Sequence, residues 1–287
     1  MTYVVHGAAG AQGKPVLSAL KNAGKAVVGI GRKQGADTGG DRYLSASYDS
    51  VEQLTEAYRG AEGAFIHLPL GSEADRLRFA NNIVAALTVA RPARVVISTS
   101  GQIIDTPGSA LQHADDSAVP VLVRGVANAG LSSAVIAART FLENLLLPPV
   151  TSGVRSDGVL RYPVRSDLPV SWSSHLDVAD VAVALFERTD VSGIVAVGQL
   201  PAIAGPDLAE AFSTRLGRRI SYEAITPDQF AEIVTAVIGE AGATAVRGRY
   251  SAMAELADFT FPPERSAQHI LGVNPRTTLD WLNELGF

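Results

Sequence analysis

The chain has 287 residues, 47% hydrophobic and 18% charged: enough for a large buried core in one α/β domain or a domain plus a lobe, and too few charges for long disordered tails. A net charge of −5 argues against a sequence-independent hold on nucleic acid, and the absence of cysteine excludes disulfides, thiolate metal sites and cysteine nucleophiles. The N-terminus enters a strand without a basic region or apolar signal core, and no apolar run reaches membrane-spanning length, so a soluble cytoplasmic protein is expected.

The first predicted strand, Tyr3-Val4-Val5-His6, runs into Gly7-Ala8-Ala9-Gly10-Ala11-Gln12-Gly13, and a helix follows with Val16, Leu17 and Leu20 on one face. Three glycines at spacing three make only a tight turn when met alone. Between a strand and a helix they gain a function: the first permits the turn, the second lets main chain approach a pyrophosphate, and the third lets helix and strand pack closely. The helix start offers free N–H groups and a positive dipole end to phosphates. Gly7, Ala9, Gly10, Ala11, Gln12 and Gly13 are therefore expected to line a dinucleotide.

A second strand, Ala26–Ile30, ends in Gly31-Arg32-Lys33. About 20 residues past such glycines an acidic side chain usually takes the ribose hydroxyls of NAD. Arg32 and Lys33 suit a ribose 2′-phosphate instead, so NADP(H) is expected; the alternative is a solvated basic turn. Residues 34–42 form a polar, glycine-rich loop. Tyr43–Tyr48 is read as a third strand, and Asp49-Ser50-Val51-Glu52 caps a helix running to about Tyr58. A fourth strand, Ala64–Pro69, places His67, Leu68 and Pro69 at its carboxyl end, where such sheets bind ligands, although a histidine in an apolar strand also serves simply as core.

A helix from Glu73 to about Ala90 precedes a fifth strand, Arg94–Gly101. Its hydroxyls Ser98, Thr99 and Ser100 gather at the carboxyl end. Thr99 and Ser100 are the catalytic candidates, Ser98 and Thr99 also border the cofactor, and Gln102 faces substrate. Such side chains also commonly cap turns. His113, in a polar loop with Asp115 and Asp116, delivers a proton if that loop folds over the crevice. After a helix over Val119–Ala129 comes a sixth strand, Ser133–Ala138, and the alternation implies an α/β doubly wound parallel sheet. Arg139–Asn144 opens a helix stopped by Pro148-Pro149, and residues 153–171 form a small hairpin or extended arm. A helix begins at His175, Gly193–Val197 is another strand, and the chain from Pro201 is mostly helical, with caps at Gly205-Pro206-Asp207 and Thr226-Pro227-Asp228. Glu143 and Asp177 are expected to fix helix ends or lobe contacts. His6, His175 and His269 are not spaced as metal ligands, so no metal is expected. Trp172, Tyr222, Phe230, Tyr250, Phe259 and Phe261 fill a lobe core or close an apolar pocket.

Taken together the landmarks resemble the NmrA-like group of atypical short-chain dehydrogenases. The glycine turn is similar to G-A-T-G-x-x-G. Gly130-Leu131 with Phe141-Leu142-Glu143-Asn144 is similar to G-L-x-x-T-I-L-R-P-x-x-F-M-E-N, and Asp177-Val178-Ala179-Asp180-Val181-Ala182 to D-V-x-D-I-A. Leu216-Gly217-Arg218-Arg219-Ile220-Ser221-Tyr222, Pro227-Asp228-Gln229-Phe230 and Pro275-Arg276-Thr277-Thr278-Leu279-Asp280-Trp281-Leu282 continue the likeness nearly to the end. The resemblance implies a Rossmann domain (1–147 plus 173–198) and a smaller, mostly helical substrate-binding lobe (148–172 and 199–287), with NADP(H) between them and Ala138 and Phe141 beside it.

The departures bear on chemistry. All four lysines precede residue 34, and no tyrosine lies between Tyr58 and Tyr162, so the superfamily's Tyr-x-x-x-Lys acid is absent. The lysine of some family reductases aligns near Val119 or Pro120, the family Arg-Pro becomes Ala137-Ala138, and an aspartate close to adenine becomes Ser47. The favoured function is hydride delivery to a small conjugated electrophile: a quinone, enone or cationic dye-like compound, positioned rather than strongly acid-activated. The alternatives are a non-catalytic NADP(H)-sensing regulator and a non-redox biosynthetic enzyme. A small-molecule substrate is expected, without nucleic acid or membrane, and a homodimer is left open.

Overall fold

The computed structural model describes residues 2–31 and 39–287. Short apolar runs buried on both faces form the interior strands: β1 (Thr2–His6), β2 (Ala26–Gly31), β4 (Ala61–Ile66), β5 (Arg94–Ser98) and β6 (Ser133–Ala138). With β3 (Arg42–Ser45) and β10 (Gly193–Val197) at the edges they make one parallel sheet of order β10-β6-β5-β4-β1-β2-β3. Successive side chains alternate between two cores. Val4, Ile66 and Val95 pack with Leu54, Ile83 and Leu122 from helices α2 (Val51–Tyr58), α3 (Glu73–Ala90) and α4 (Ala118–Asn128). Tyr3, Val5, Phe65 and Val96 pack with Val16, Leu17, Val178 and Leu185 from α1 (Gly13–Asn22) and α6 (His175–Glu187). This is a Rossmann-like sheet with helices on both faces.

A third core gathers Tyr162, Trp172, Phe212, Phe230, Tyr250 and Trp281. It draws on α5 (Pro148–Ser156), α7 (Gly205–Leu216), α8 (Pro227–Ala254) and α10 (Thr278–Leu285), with β8 (Val159–Tyr162) paired in parallel to β11 (Ser221–Ala224). The short strands β7 (Thr140–Phe141) and β9 (Trp172–Ser173) pair where the chain enters and leaves this part, and α9 (Ala267–Leu271) lies near the end. Within α8, Gly239 is non-helical, at φ 74° and ψ 169°, so the helix consists of two segments meeting at a joint.

Several expectations change. The third strand stops at Ser45: the Ser47 N–H donates to Gln53 Oε1, committing that stretch to the turn that starts α2, while Tyr48 packs into the core. The fourth strand ends at Ile66, leaving His67, Leu68 and Pro69 just beyond it. The fifth ends at Ser98 because Ser100 and Gly101 take left-handed backbone, at φ 54° and 80°. No α-helix opens at Arg139. Thr140–Phe141 pairs as β7, and a 3-10 turn covers Leu142–Leu146. Pro148-Pro149 starts α5 rather than stopping a helix, since a first-turn proline lacks only an N–H that the helix does not use. Residues 153–171 are not a hairpin: α5 continues to Ser156, and β8 finds its partner some 60 residues further on in β11. No helix among the described residues is long and apolar enough to cross a membrane.

Candidate functional site

The glycine turn between β1 and α1 has the geometry of an anion cradle. Gly7 has φ +56°, and a Cβ there would lie 2.6 Å from His67 Nε2. A Cβ on Gly13 would lie 2.3 Å from the Gly7 carbonyl oxygen, so only glycine lets α1 sit this close to β1. The Gly10 N–H closes the turn onto the Gly7 oxygen at 2.7 Å. Ala9, Gly10 and Ala11 are exposed, offering main chain with little side chain over it. The start of α1 has no side-chain cap and no acid in its first turn, which leaves its positive end free for an anion. Gln12 is buried, and its Oε1 has no partner among the described residues.

A crevice of about 270 Å³ opens beside this turn, lined by Gly7, Ala9, Gly10, Gly31, Tyr43, Tyr48, His67 and Pro69. Leu68 is buried in the core and does not line it. Arg32 and Lys33 lie outside the described residues. The cradle fits the diphosphate of a dinucleotide: bare backbone, an uncapped helix start and no carboxylate in the first turn of α1.

Three imidazoles surround the turn. His6 is fully buried, bonded through Nε2 to the Tyr58 hydroxyl at 2.5 Å, and burial lowers its pKa to about 3. His67 holds the His6 carbonyl at 3.2 Å through Nε2, and burial takes it to about 4. His175 opens α6, its ring 4.5 Å from that of Phe141. Burial brings its pKa also to about 4, with a hydrogen bond to the Ala11 main chain pulling the other way. All three are neutral near pH 7.

Beyond β5 the chain makes a strained turn. The Ser98 hydroxyl accepts from Ser100 N–H at 3.2 Å, and Thr99 O accepts from Gln102 N–H at 3.1 Å. Thr99 is fully buried, and its hydroxyl has no partner among the described residues. Ser100 is exposed, while Gly101 lies against the Phe141 ring and Ala138 is buried at the end of β6. The loop carrying His113 folds back: the His113 N–H bonds the Ile103 carbonyl at 2.8 Å and the ring is half-buried. Burial lowers its pKa, Glu73 raises it, and Arg76 and Arg249 lower it. The structure thus groups Ser98, Thr99, Ser100 and Gln102 in one turn, with Phe141 against Gly101. His113 stands within the field of Arg249.

Residues that sequence reasoning missed hold this turn. Arg139 is buried, bonds both carboxylate oxygens of Asp105, and donates to Thr260 O at 3.0 Å. Arg249, on the second segment of α8, donates to Gly101 O at 3.0 Å and Arg139 O at 2.6 Å. From sequence His175 is read only as the start of a helix and set aside as a metal ligand; no linear pattern ties it to Ala11. Behind α6, Asp177 shares a capping box with Ser174 and accepts from Arg276, which also reaches Asp180 and Glu284. Glu143 accepts from His175 N–H at 2.9 Å and Trp281 Nε1 at 3.2 Å. Burial raises the pKa of both Asp177 and Glu143. No group of three or more histidines and carboxylates among the described residues is placed to hold a metal.

A dinucleotide-binding α/β scaffold with a ligand crevice at the carboxyl ends of its strands is the class these features define. The chain belongs to the NmrA-like family, whose model matches residues 1–260. No protein of curated function matches it by sequence. Among solved structures it is similar to a nucleoside-diphosphate-sugar epimerase from Staphylococcus aureus, at 16% identity and TM-score 0.78 over 98% of this chain and 99% of that one. A Citrobacter sp. triphenylmethane reductase complexed with NADP(H) gives the same values. An Escherichia coli NADPH-dependent quinone oxidoreductase complexed with NADPH aligns over all of both chains at 17% identity and TM-score 0.75.

Proposed function

We propose that the chain is an NADP(H)-dependent reductase that passes hydride to a small conjugated electrophile, a quinone, enone or similar, without a Tyr-x-x-x-Lys acid. The observation that carries this is the exposed main chain of Ala9–Ala11 over an uncapped helix start, beside the 270 Å³ crevice. The likeness to two reductases, one with NADPH and one with NADP(H), supports it. In this proposal residues 1–147 and 173–198 carry the nucleotide, 148–172 and 199–287 enclose the substrate, and the protein is cytoplasmic. Arg32 and Lys33 hold the 2′-phosphate. His67, Leu68, Pro69, Ser98, Ala138 and Phe141 border the rest of the nucleotide, which when bound supplies the hydride. Thr99 and Ser100 offer hydrogen bonds to the reacting end, Gln102 contacts substrate, and His113 relays a proton.

The test is a titration with NADPH and NADH before and after Arg32→Glu, followed by NADPH oxidation assays across quinones and enones. Arg32→Glu should weaken NADPH far more than NADH, and at least one acceptor should be reduced. Equal losses would remove the phosphate assignment. Tight NADPH binding with no acceptor reduced would favour a sensor, and substrate conversion without change at the nicotinamide band would favour non-redox chemistry.

A further inference from the structure

Arg249 stands out among the charged side chains around the β5 turn. It is half-buried, its bonds go to two main-chain carbonyls, and no carboxylate among the described residues pairs with it. Its ring neighbour is Phe259, 5.6 Å from the guanidinium to the ring centroid. The neighbouring carboxylates are engaged elsewhere. Asp105 is taken up by Arg139. Glu73 gives one oxygen to Arg76 Nη1 at 2.9 Å and the other to the Ala118 N–H at 2.7 Å. Asp115 and Asp116 face solvent on the His113 loop, where water screens them. A positive charge without a carboxylate partner among the described residues is thus fixed against the turn that carries Thr99 and Ser100, and exposed Arg265, which donates to the Asp105 carbonyl, adds to it. A partly buried cation without a counterion is costly, and such costs concentrate where a ligand or reaction supplies the missing charge.

We propose that Arg249 is the cation that meets the negative charge developing on substrate oxygen, so that the acceptor is a neutral quinone or enone and not a preformed carbocation of the triphenylmethane kind. This rests on the reductase function proposed above and narrows it. The acceptor gains hydride at an electrophilic carbon, and the displaced π pair moves onto the carbonyl oxygen as an enolate, which in a quinone becomes aromatic once the sp3 carbon gives up a proton and the second carbonyl oxygen gains one. The enolate oxygen takes one proton, drawn from solvent and relayed by His113, leaving the nicotinamide oxidised. The N–H groups of Arg249 not used by Gly101 and Arg139 are available to the oxygen through this sequence, supplying charge in place of the lysine this chain lacks. A carbocation acceptor gains nothing here, since hydride neutralises it and Arg249 repels it on entry.

The experiment compares wild type, Arg249→Gln and Arg249→Lys with a neutral benzoquinone and a cationic triphenylmethane dye. Glutamine can still donate to one main-chain carbonyl, which keeps a tether while removing the charge. Arg249→Gln should lower kcat/KM for the quinone on the order of a hundredfold. It should leave the dye unchanged or faster, and Arg249→Lys should recover much of the quinone rate. A second arm needs no turnover: 4-nitrophenol is titrated by absorbance against each protein with NADP+. Wild type should lower the apparent pKa of the bound phenol by about 1, and Arg249→Gln should not. Failure to reduce either acceptor, with the phenol shift present only in wild type, would end the reductase proposal and leave the anion-holding role of Arg249 standing. An equal phenol titration in wild type and Arg249→Gln, no phenol binding, equal losses on both acceptors, or a wild-type preference for the dye would each overturn it.

Discussion

Asp105 receives both Nη groups of Arg139, at 2.9 and 3.0 Å, with the side chains only 1% and 2% exposed. Separated by 34 residues in sequence, they tie the loop after β5 to the end of β6. Removing one partner strands the other charge out of water. Asp105→Ala is therefore expected to cost about 3–5 kcal/mol in urea unfolding. The double variant Asp105→Leu with Arg139→Met should recover most of that loss, and a deeper loss in the double variant would show that the pair stabilises beyond its own desolvation.

Thr99 presents the opposite case, since its buried hydroxyl has no partner to lose among the described residues. Thr99→Val should shift unfolding by less than about 1 kcal/mol, in either direction. The same change should weaken NADPH binding or slow acceptor reduction. A stability loss above about 2 kcal/mol would mean that the hydroxyl is satisfied in solution.

Two glycines of the turn separate folding from binding. A methyl on Gly13 meets main-chain oxygens at 2.3 and 2.5 Å, and Gly13→Ala should cost about 1–3 kcal/mol or more in a thermal or urea melt. The nearest atom to a methyl on Gly10 is the Gly7 oxygen at 3.1 Å, and Gly10 faces the crevice. Gly10→Ala should melt close to wild type while weakening the dinucleotide. The reverse pattern would argue against a phosphate at this turn.

Stability should fall below neutral pH earlier than carboxylates alone would dictate. Burial lowers His6, His67 and His175 to about 3, 4 and 4, from 6.5. The unfolded chain then binds more protons below pH 6.5, so stability is complete above that value. It is lost as pH falls toward each folded-state value, at about 1.4 kcal/mol per histidine per pH unit within the window. Glu143 and Asp177, raised by burial, work the other way and regain stability as they protonate. Urea unfolding at pH 7 and pH 5 should show the weaker protein at pH 5, and equal midpoints would mean the imidazoles are hydrated.

The sheet was legible because its strands are short apolar runs that stop at turn signals. The caps read at Asp49-Ser50-Val51-Glu52 and Thr226-Pro227-Asp228 are present, with Ser50 and Thr226 accepting from the Gln53 and Gln229 N–H groups. The glycine turn was legible as a local pattern between a strand and a helix. Arg139, Asp105 and Arg249 were not, since long-range pairing leaves no mark on sequence spacing: 148 residues separate Arg249 from the Gly101 carbonyl it holds. Pro148 misled because proline marks both the end of one helix and the first turn of another. The length of β5 misled too: β-branched and hydroxyl residues run on past Ser98, but tertiary contacts bend Ser100 into a conformation its own preference opposes.

The joint at Gly239 has a consequence for how such a protein diversifies. The segment of α8 before it seats Phe230 in the third core, and the segment after it seats Tyr250 and Met253 in that same core while aiming Arg249 at the β5 turn. Because the two segments share that core, with the Phe230 and Tyr250 ring centroids 5.7 Å apart, the joint fixes the direction of the second segment instead of freeing it. Sequence variation in the second segment is therefore confined by the core on one face of the helix and free on its exposed face.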